Sequence, residues 1–212
     1  MDRLGQINTF SSFFRVSRET ILVLKRYENL IIEANKNLNL IGKSTIKDIW
    51  TRHFLDSYQV IDFIDKNDKI IVDMGAGAGF PGLVLAIGLK ENKISSKIRL
   101  IEKSPKKAKF LRKVIKELNL NADVLLQNIF DKSILNLGDV FIARAFKPLG
   151  IILKLMHSES QNWKKIFVFL GKTGKDDLLR ASKVWDIEYK QRRSVTSNDS
   201  FLIEIAKLKK KI

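Results

Sequence analysis

Between residues 70 and 90 the chain passes from an all-apolar Ile70-Ile71-Val72 into Asp73-Met74-Gly75-Ala76-Gly77-Ala78-Gly79-Phe80-Pro81-Gly82, then into a helical stretch from about Pro81 to Leu89. A short run that is apolar at every position reads as a strand covered on both faces. Four glycines and two alanines in the turn let the backbone approach a bound molecule closely. Strand, glycine loop and helix together make the opening unit of a parallel sheet. Ligands of such sheets lie beyond the carboxyl ends of the strands. No other segment narrows the possible folds as much.

The chain beyond Leu89 keeps the same alternation. Ile98–Ile101, Val124–Leu126, Val140–Ala143 and Ile166–Leu170 read as strands. Helices are expected from Ser104 to Leu118, after Pro148, and near residues 174–184, with Ser104 capping the first and Pro105 at its first position. Residues 186–192 and 201–208 read as two closing strands, joined by the short Ser194–Ser200 turn and therefore antiparallel. Upstream, residues 17–36 and 44–65 each carry apolar residues at helical spacing, with Ser17 as N-cap of the first. His53 falls on the apolar side of the second, and a packed, hydrogen-bonded role is expected for it. His157 is expected at the surface. The expected architecture is α/β, a Rossmann-like, mainly parallel sheet with helices on both faces. Residues 1–65 form an N-terminal helical extension and residues 66–212 one compact unit.

Composition closes several routes. With no cysteine, disulfides, thiolate metal sites and a cysteine nucleophile are impossible, and two histidines do not make a histidine metal cage. No metal site is expected. Lys plus Arg number 39 against 23 Asp plus Glu, a net charge of +16. Such an excess marks a partner that is a polyanion, nucleic acid first. Apolar runs stay far below the roughly 20 residues of a spanning helix, so no membrane is expected. The start MDRLGQINTF has no apolar core behind a basic tip, and a cytoplasmic protein is expected.

Spacing within the loop bears on the ligand. A dinucleotide fold wants G-x-G-x-x-G, and counted from Gly75 the third glycine position is Phe80. No Gly-Lys-Ser/Thr comes after it, so this is not an NTPase phosphate loop. An acid before G-x-G-x-G resembles the first motif of S-adenosylmethionine methyltransferases. Glu102 ends the second strand, where a carboxylate accepts hydrogen bonds from ribose hydroxyls. Dinucleotide enzymes use the same device, so Glu102 points to an adenosine-like ligand without choosing the class.

Elimination narrows the methyl acceptor. Pyrimidine carbon methylation usually needs a cysteine. Amine methylation usually needs an Asn/Asp-Pro-Pro-aromatic segment, and the matching segment here is Ala143-Arg144-Ala145-Phe146-Lys147-Pro148. A nitrogen with a free lone pair, such as guanine N7, or a ribose hydroxyl remains. A lone pair needs only close, collinear placement and no general base, so no catalytic base is assigned.

Asn39-Leu40, Arg52-His53-Phe54-Leu55-Asp56-Ser57, the loop Asp73–Gly82, Lys109-Phe110-Leu111-Arg112 and Ala143–Phe146 occur in family order and spacing. On these fragments the chain resembles the glucose-inhibited division protein B family, the bacterial 16S ribosomal RNA guanine-N7 methyltransferases. The resemblance implies a class I S-adenosylmethionine-dependent fold with a seven-stranded sheet and a guanine in the 530 loop of 16S RNA. It implies 16S RNA or the small ribosomal subunit as partner, S-adenosyl-L-methionine as cofactor, and a monomer. Cofactor positions implied with it are Gly75, Gly77, Phe80, Glu102, Ile129, Phe130 and Arg144. Ile129 and Phe130 would flank adenine. Arg144 would pair with the methionyl carboxylate or with the incoming base. The chain departs from the family at Leu38–Ile41, where a hydroxyl is lost, at Lys172, displaced past Gly171, and at Phe130, where the usual acid falls one place later at Asp131. An NAD(P)-dependent oxidoreductase and an inactive RNA-binding module are the alternatives. The absence of a Tyr-x-x-x-Lys pattern and the intact loop argue against them. Lys103, Lys106, Lys107, Lys109, Arg112, Lys113 and Lys116 crowd one helix, either as a solvated face or as a phosphate surface.

Overall fold

In the computed structural model, residues 1–130, 138–159 and 163–211 are described. Seven strands form one sheet: β1 Ile70–Met74, β2 Lys97–Glu102, β3 Ala122–Leu126, β4 Val140–Arg144, β5 Lys165–Leu170, β6 Trp185–Arg193 and β7 Phe201–Lys210. Their order is β3-β2-β1-β4-β5-β7-β6. β1 to β5 are mutually parallel, with Met74 beside Ile101 and Asp73 beside both Leu100 and Ile142. β7 runs antiparallel to β5, and β6 antiparallel to β7. The chain builds outward from β1 to β3, then returns to add β4 on the other side of β1. A crevice opens at that reversal, at the carboxyl ends of β1 and β4.

The helices are α1 Arg3–Phe13, α2 Arg18–Leu38, α3 Asp56–Tyr58, α4 Gly82–Glu91, α5 Pro105–Leu118, α6 Leu149–Glu159 and α7 Gly174–Ser182. Ser17 caps α2, accepting from the Thr20 amide at 3.2 Å. Its own amide and hydroxyl donate to the Glu91 carboxylate at the end of α4, at 2.7 and 2.8 Å. One apolar core joins Phe10, Leu24, Tyr27, Trp50, Phe54 and Tyr58 to Leu83, Ile87, Ile98 and Leu100, so the N-terminal helices cover the α4–α5 face of the sheet. A second core, with Phe141, Leu153, Met156, Ile166 and Ile203, fills the opposite face under α6 and α7.

Two helical expectations need correction. α1 is additional: it buries only Gln6, Ile7 and Phe10 and leaves Leu4 and Phe13 exposed, so its periodicity is faint in the sequence. Residues 44–65 do not form one α-helix. They break into a 3-10 turn Lys43–Asp48, a π-helical turn Trp50–Leu55, the single turn α3, and a 3-10 turn Gln59–Phe63. The wide π turn buries Trp50, Phe54 and Leu55 together, and Trp50 Nε1 donates to Glu28 at 2.7 Å. π turns inside helices recur at functional sites, where they re-aim neighbouring side chains. His53 lies in this turn.

Candidate functional site: the cleft at the carboxyl end of the sheet

The crevice is a cleft of about 530 Å³, within the range of small-molecule sites. Its floor is the glycine loop. Gly75 and Gly77 have positive φ values of 79° and 58°. A Cβ at Gly75 would stand 2.4 Å from a ring carbon of Phe146, whereas at Gly77 it would meet nothing nearer than 3.9 Å. Gly77 therefore presents bare backbone to the cleft.

Glu102 ties this floor to β2. Its Oε2 accepts from the Gly77 amide at 3.0 Å and its Oε1 from the Ser104 amide at 2.7 Å. The side chain is buried yet lines the cleft. Each carboxylate oxygen has more than one acceptor direction, so the group braces the loop and can still accept from ligand hydroxyls.

Asp73, the acid before the glycines, does not line the cleft. It is 1% exposed and its Oδ2 accepts from the Gly82 amide at the start of α4, at 2.8 Å. Oδ1 has no partner among the described residues, and burial pushes the carboxyl up to about 7. Asp73 is a pin between strand and helix.

The walls come from three segments. Ile129 is buried and Phe130 is 42% exposed in the turn that comes after β3, both on the cleft. Asp131 lies outside the described residues. Phe80 lines the cleft but is only 7% exposed, sandwiched among Tyr27, Phe54 and His53. The His53 ring lies parallel on it, 4.8 Å between centroids at 10°. Arg144 ends β4 on the cleft and is already engaged. Its Nε donates to Asp56 Oδ2 at 2.7 Å, Nη1 to His53 Nδ1 at 3.2 Å and Nη2 to the Arg52 carbonyl at 2.6 Å. Since a guanidinium only donates, Nδ1 accepts and the His53 proton sits on Nε2, which faces Thr45 Oγ1 at 3.1 Å. Burial, then Arg144 and Arg52, lower His53 to about 3. It is a neutral, fully bonded imidazole, packed and hydrogen-bonded as expected, although the segment that carries it is a π turn and not the expected helix.

All seven residues expected at the ligand therefore gather on one cleft: Gly75, Gly77, Phe80, Glu102, Ile129, Phe130 and Arg144. Phe146 joins them. It comes after Ala145, which has a positive φ of 49°, and its ring lies within 6.5 Å of Phe130 at 26°. Only its place in the Ala143–Phe146 fragment signalled it. Gln127, Asn128, Lys103, Lys107 and Lys147 also line the cleft. His157 lies away from it, exposed and 5.1 Å from the Trp185 ring.

Charge is distributed unevenly between the two ends of the sheet. At the amino end, Lys97 and Arg99 pair with Asp123, and Lys164 and Lys165 with Asp68. Lys103, Lys107 and Lys147 on the cleft, and Lys106 and Lys109 on α5, enter no ion pair among the described residues. The first turn of α5 holds no acid to offset its lysines. Cations at a helix N-terminus are unfavourable by themselves, and a polyanion beside them would relieve that repulsion.

The group such a cleft fits is an adenosine bearing a charged tail. Bare backbone at Gly77 admits close approach, Glu102 offers acceptors to ribose hydroxyls, and Ile129 with Phe130 offers apolar surface to a flat base.

A family model described as rRNA small subunit methyltransferase G matches residues 20–202. The ribosomal RNA small subunit methyltransferase G of Pelagibacter ubique is 42% identical over 198 residues, spanning 92% of this chain and 92% of that protein. That of Bartonella tribocorum is 35% identical over 197 residues, spanning 92% and 91%. Among solved structures, M. capricolum TrmK in complex with S-adenosyl-homocysteine superposes with a TM-score of 0.54 at 22% identity, covering 71% of this chain and 67% of that one. M. jannaschii TYW2 in complex with AdoMet gives 0.53 at 17% identity, covering 81% and 78%. These two likenesses are likenesses of fold.

Proposed function

The chain belongs to the rRNA small subunit methyltransferase G family, and we propose that it methylates N7 of a guanine in the 530 loop of 16S ribosomal RNA, the site that its family motifs imply. It is an S-adenosyl-L-methionine-dependent rRNA methyltransferase with the class I fold. When bound, the cofactor supplies an electrophilic methyl group on a sulfonium. The oxidoreductase and the inactive module give way to this reading.

The chain's own part is binding, orientation and exclusion of water. Glu102 accepts from the ribose hydroxyls while holding Gly77 in place. Ile129 and Phe130 flank the adenine. Arg144 has five N–H donors, of which three are bonded to described residues. One on each terminal nitrogen is left for the methionyl carboxylate or the guanine. The extension formed by residues 1–65 supplies Leu40, Ile41 and His53 to the cleft of the transferase unit, residues 66–212. In this reading the protein is a monomer in the cytoplasm, where its RNA substrate is.

The observation that carries the N7 target is the absence of an available base among the described residues on the cleft. His53 Nδ1 is occupied by Arg144 and burial lowers the imidazole to about 3, too weak a base, while Glu102 is taken up by the Gly77 and Ser104 amides and, in this reading, by the ribose hydroxyls. An amine or hydroxyl acceptor would have to lose a proton, whereas N7 attacks with a lone pair it already has. The test is methyl-labelled cofactor with 16S RNA and with small subunits, then nucleoside mass spectrometry. Label on 7-methylguanosine from the 530 loop is expected. Label on an exocyclic amine or ribose oxygen would overturn the reading.

A further inference from the structure

We infer that Asp56 is a positioning residue that sets the direction of the Arg144 guanidinium, and that the turn between β6 and β7 holds Asp56 in place through Ser194 and Thr196. This rests on the reading that Arg144 touches cofactor or guanine.

Among the described residues, every partner of the Arg144 guanidinium comes from one stretch of chain, Arg52 to Asp56, and none from the sheet that carries Arg144. Asp56 divides its two oxygens. Oδ2 takes the arginine Nε at 2.7 Å. Oδ1 accepts from Gln59 Nε2 at 3.0 Å, Ser194 Oγ at 3.0 Å and Thr196 Oγ1 at 3.2 Å. The Ser194 hydroxyl in turn accepts from the Thr196 amide at 3.2 Å. Three segments, separated by 88 and 138 residues, thus converge on one carboxylate. The arginine and aspartate side chains are 17% and 12% exposed, so the pair is shielded and its geometry is stiff.

A guanidinium is planar, and fixing Nε together with one hydrogen on each terminal nitrogen fixes the plane. The two remaining N–H vectors then point where the protein dictates, at a residue that lines the cleft. A pair that merely joined two segments would not need its cation at the cleft wall. The Ser194–Thr196 turn lies at the carboxyl end of the sheet, because Arg193 is opposite Phe201, which is opposite Leu170. Hydroxyl bonds from that turn stop Asp56 from moving with a swinging arginine.

The test is a double-mutant cycle in single-turnover methyl transfer on small subunits, with thermal midpoint and cofactor affinity measured alongside. Asp56→Asn keeps the volume but removes the charge, and misorientation at a reacting centre costs about 100-fold. Asp56→Asn is expected to change kcat and KM in the same ratio as Arg144→Ala. It is expected to have no further effect in the Arg144→Ala background. Ser194→Ala should shift the rate in the same direction by less, and serves where Asp56→Asn does not fold. The Arg144 Nε–H resonance should be protected from water exchange in wild type and lose that protection in Asp56→Asn, a readout independent of turnover. Equal effects of Asp56→Asn in both backgrounds, or a lowered midpoint with an unchanged rate, would overturn the inference. If Arg144→Ala leaves turnover intact, the role of Arg144 itself fails and the inference falls with it.

Discussion

The Tyr27 hydroxyl on α2 donates to the Ala78 carbonyl in the glycine loop at 2.6 Å, deep inside the protein. The same ring stacks on Phe54, 5.7 Å away at 20°. An N-terminal helix therefore holds the floor of the cleft directly. Burial, then the charge of Asp73, raises the phenol well above its ordinary value, so it remains a donor.

Tyr27→Phe should cost about 1–3 kcal/mol, because the Ala78 carbonyl is left buried without its partner. Cofactor affinity should fall with it, as the loop loses an anchor. Calorimetric titration and denaturant unfolding check both. An unchanged affinity would mean that the loop keeps its shape without α2.

Gly75→Val should abolish cofactor binding. The position has φ 79°, and the first added carbon would lie 2.4 Å from the Phe146 ring. Left-handed backbone costs an L-residue about 1–2 kcal/mol. Phe146 is half-buried and its side chain can swing, so the fold should survive. Retained binding by titration would remove Gly75 from the site.

Two buried groups set opposing pH dependences. His53, lowered to about 3, stays unprotonated in the fold while the unfolded chain takes up a proton below about pH 6.5, so its contribution is lost as pH falls. Asp73, raised to about 7, keeps its proton in the fold while the unfolded chain loses it above about pH 4, so its contribution is lost as pH rises. Glu91, Asp123 and Asp139 are lowered and act below about pH 4.5. Between about pH 5 and 6.5 wild-type stability should be nearly flat. In that window Asp73→Asn should make stability rise with pH and His53→Gln should make it fall. Urea midpoints across the window report the slopes, and parallel slopes in the two variants would sink the account.

Methyl transfer itself should show no ionisation of a base. Single-turnover rates from about pH 6 to 9 should be level, since His53, lowered to about 3, is too weak a base and Glu102 is taken up by the loop amides and the ribose. A tenfold rise per pH unit would indicate an amine or hydroxyl acceptor.

The lysines of the cleft, which enter no ion pair among the described residues, should carry the salt dependence of RNA binding. Replacing Lys103, Lys107 and Lys147 by Gln together should lower the log–log salt slope by about 2, at roughly 0.7 per single-strand phosphate contact. Lys97→Gln, which breaks an ion pair at the other end of the sheet, should leave the slope unchanged. Equal slopes for both would show that the cleft rim does not touch phosphates.

Much of this protein was legible along the chain. The run Ile70–Val72, the glycines after it, and the capped helix from Ser104 are local patterns, and each formed where its spacing placed it. Glu102 was legible for the same reason, since an acid at the end of the second strand needs no knowledge of the rest of the fold. The segment 44–65 was not. Its apolar spacing is helical, but packing Trp50, Phe54 and Leu55 into one core widens the turn, and a periodicity count cannot see the surface they pack against.

The amino-acid sequence by itself determined the sheet's opening unit, the adenosine-type cleft and the family, because those depend on residues close together in the chain. Only the tertiary structure decided what those residues are bonded to. Arg144 meets Asp56 across 88 positions, and Asp56 meets Ser194 across 138. His53 and Asp73 acquire their shifted protonation from burial by elements far away in sequence. Hydrogen bonds and desolvation depend on distance in space, and no local pattern of residues encodes which remote atoms will arrive there.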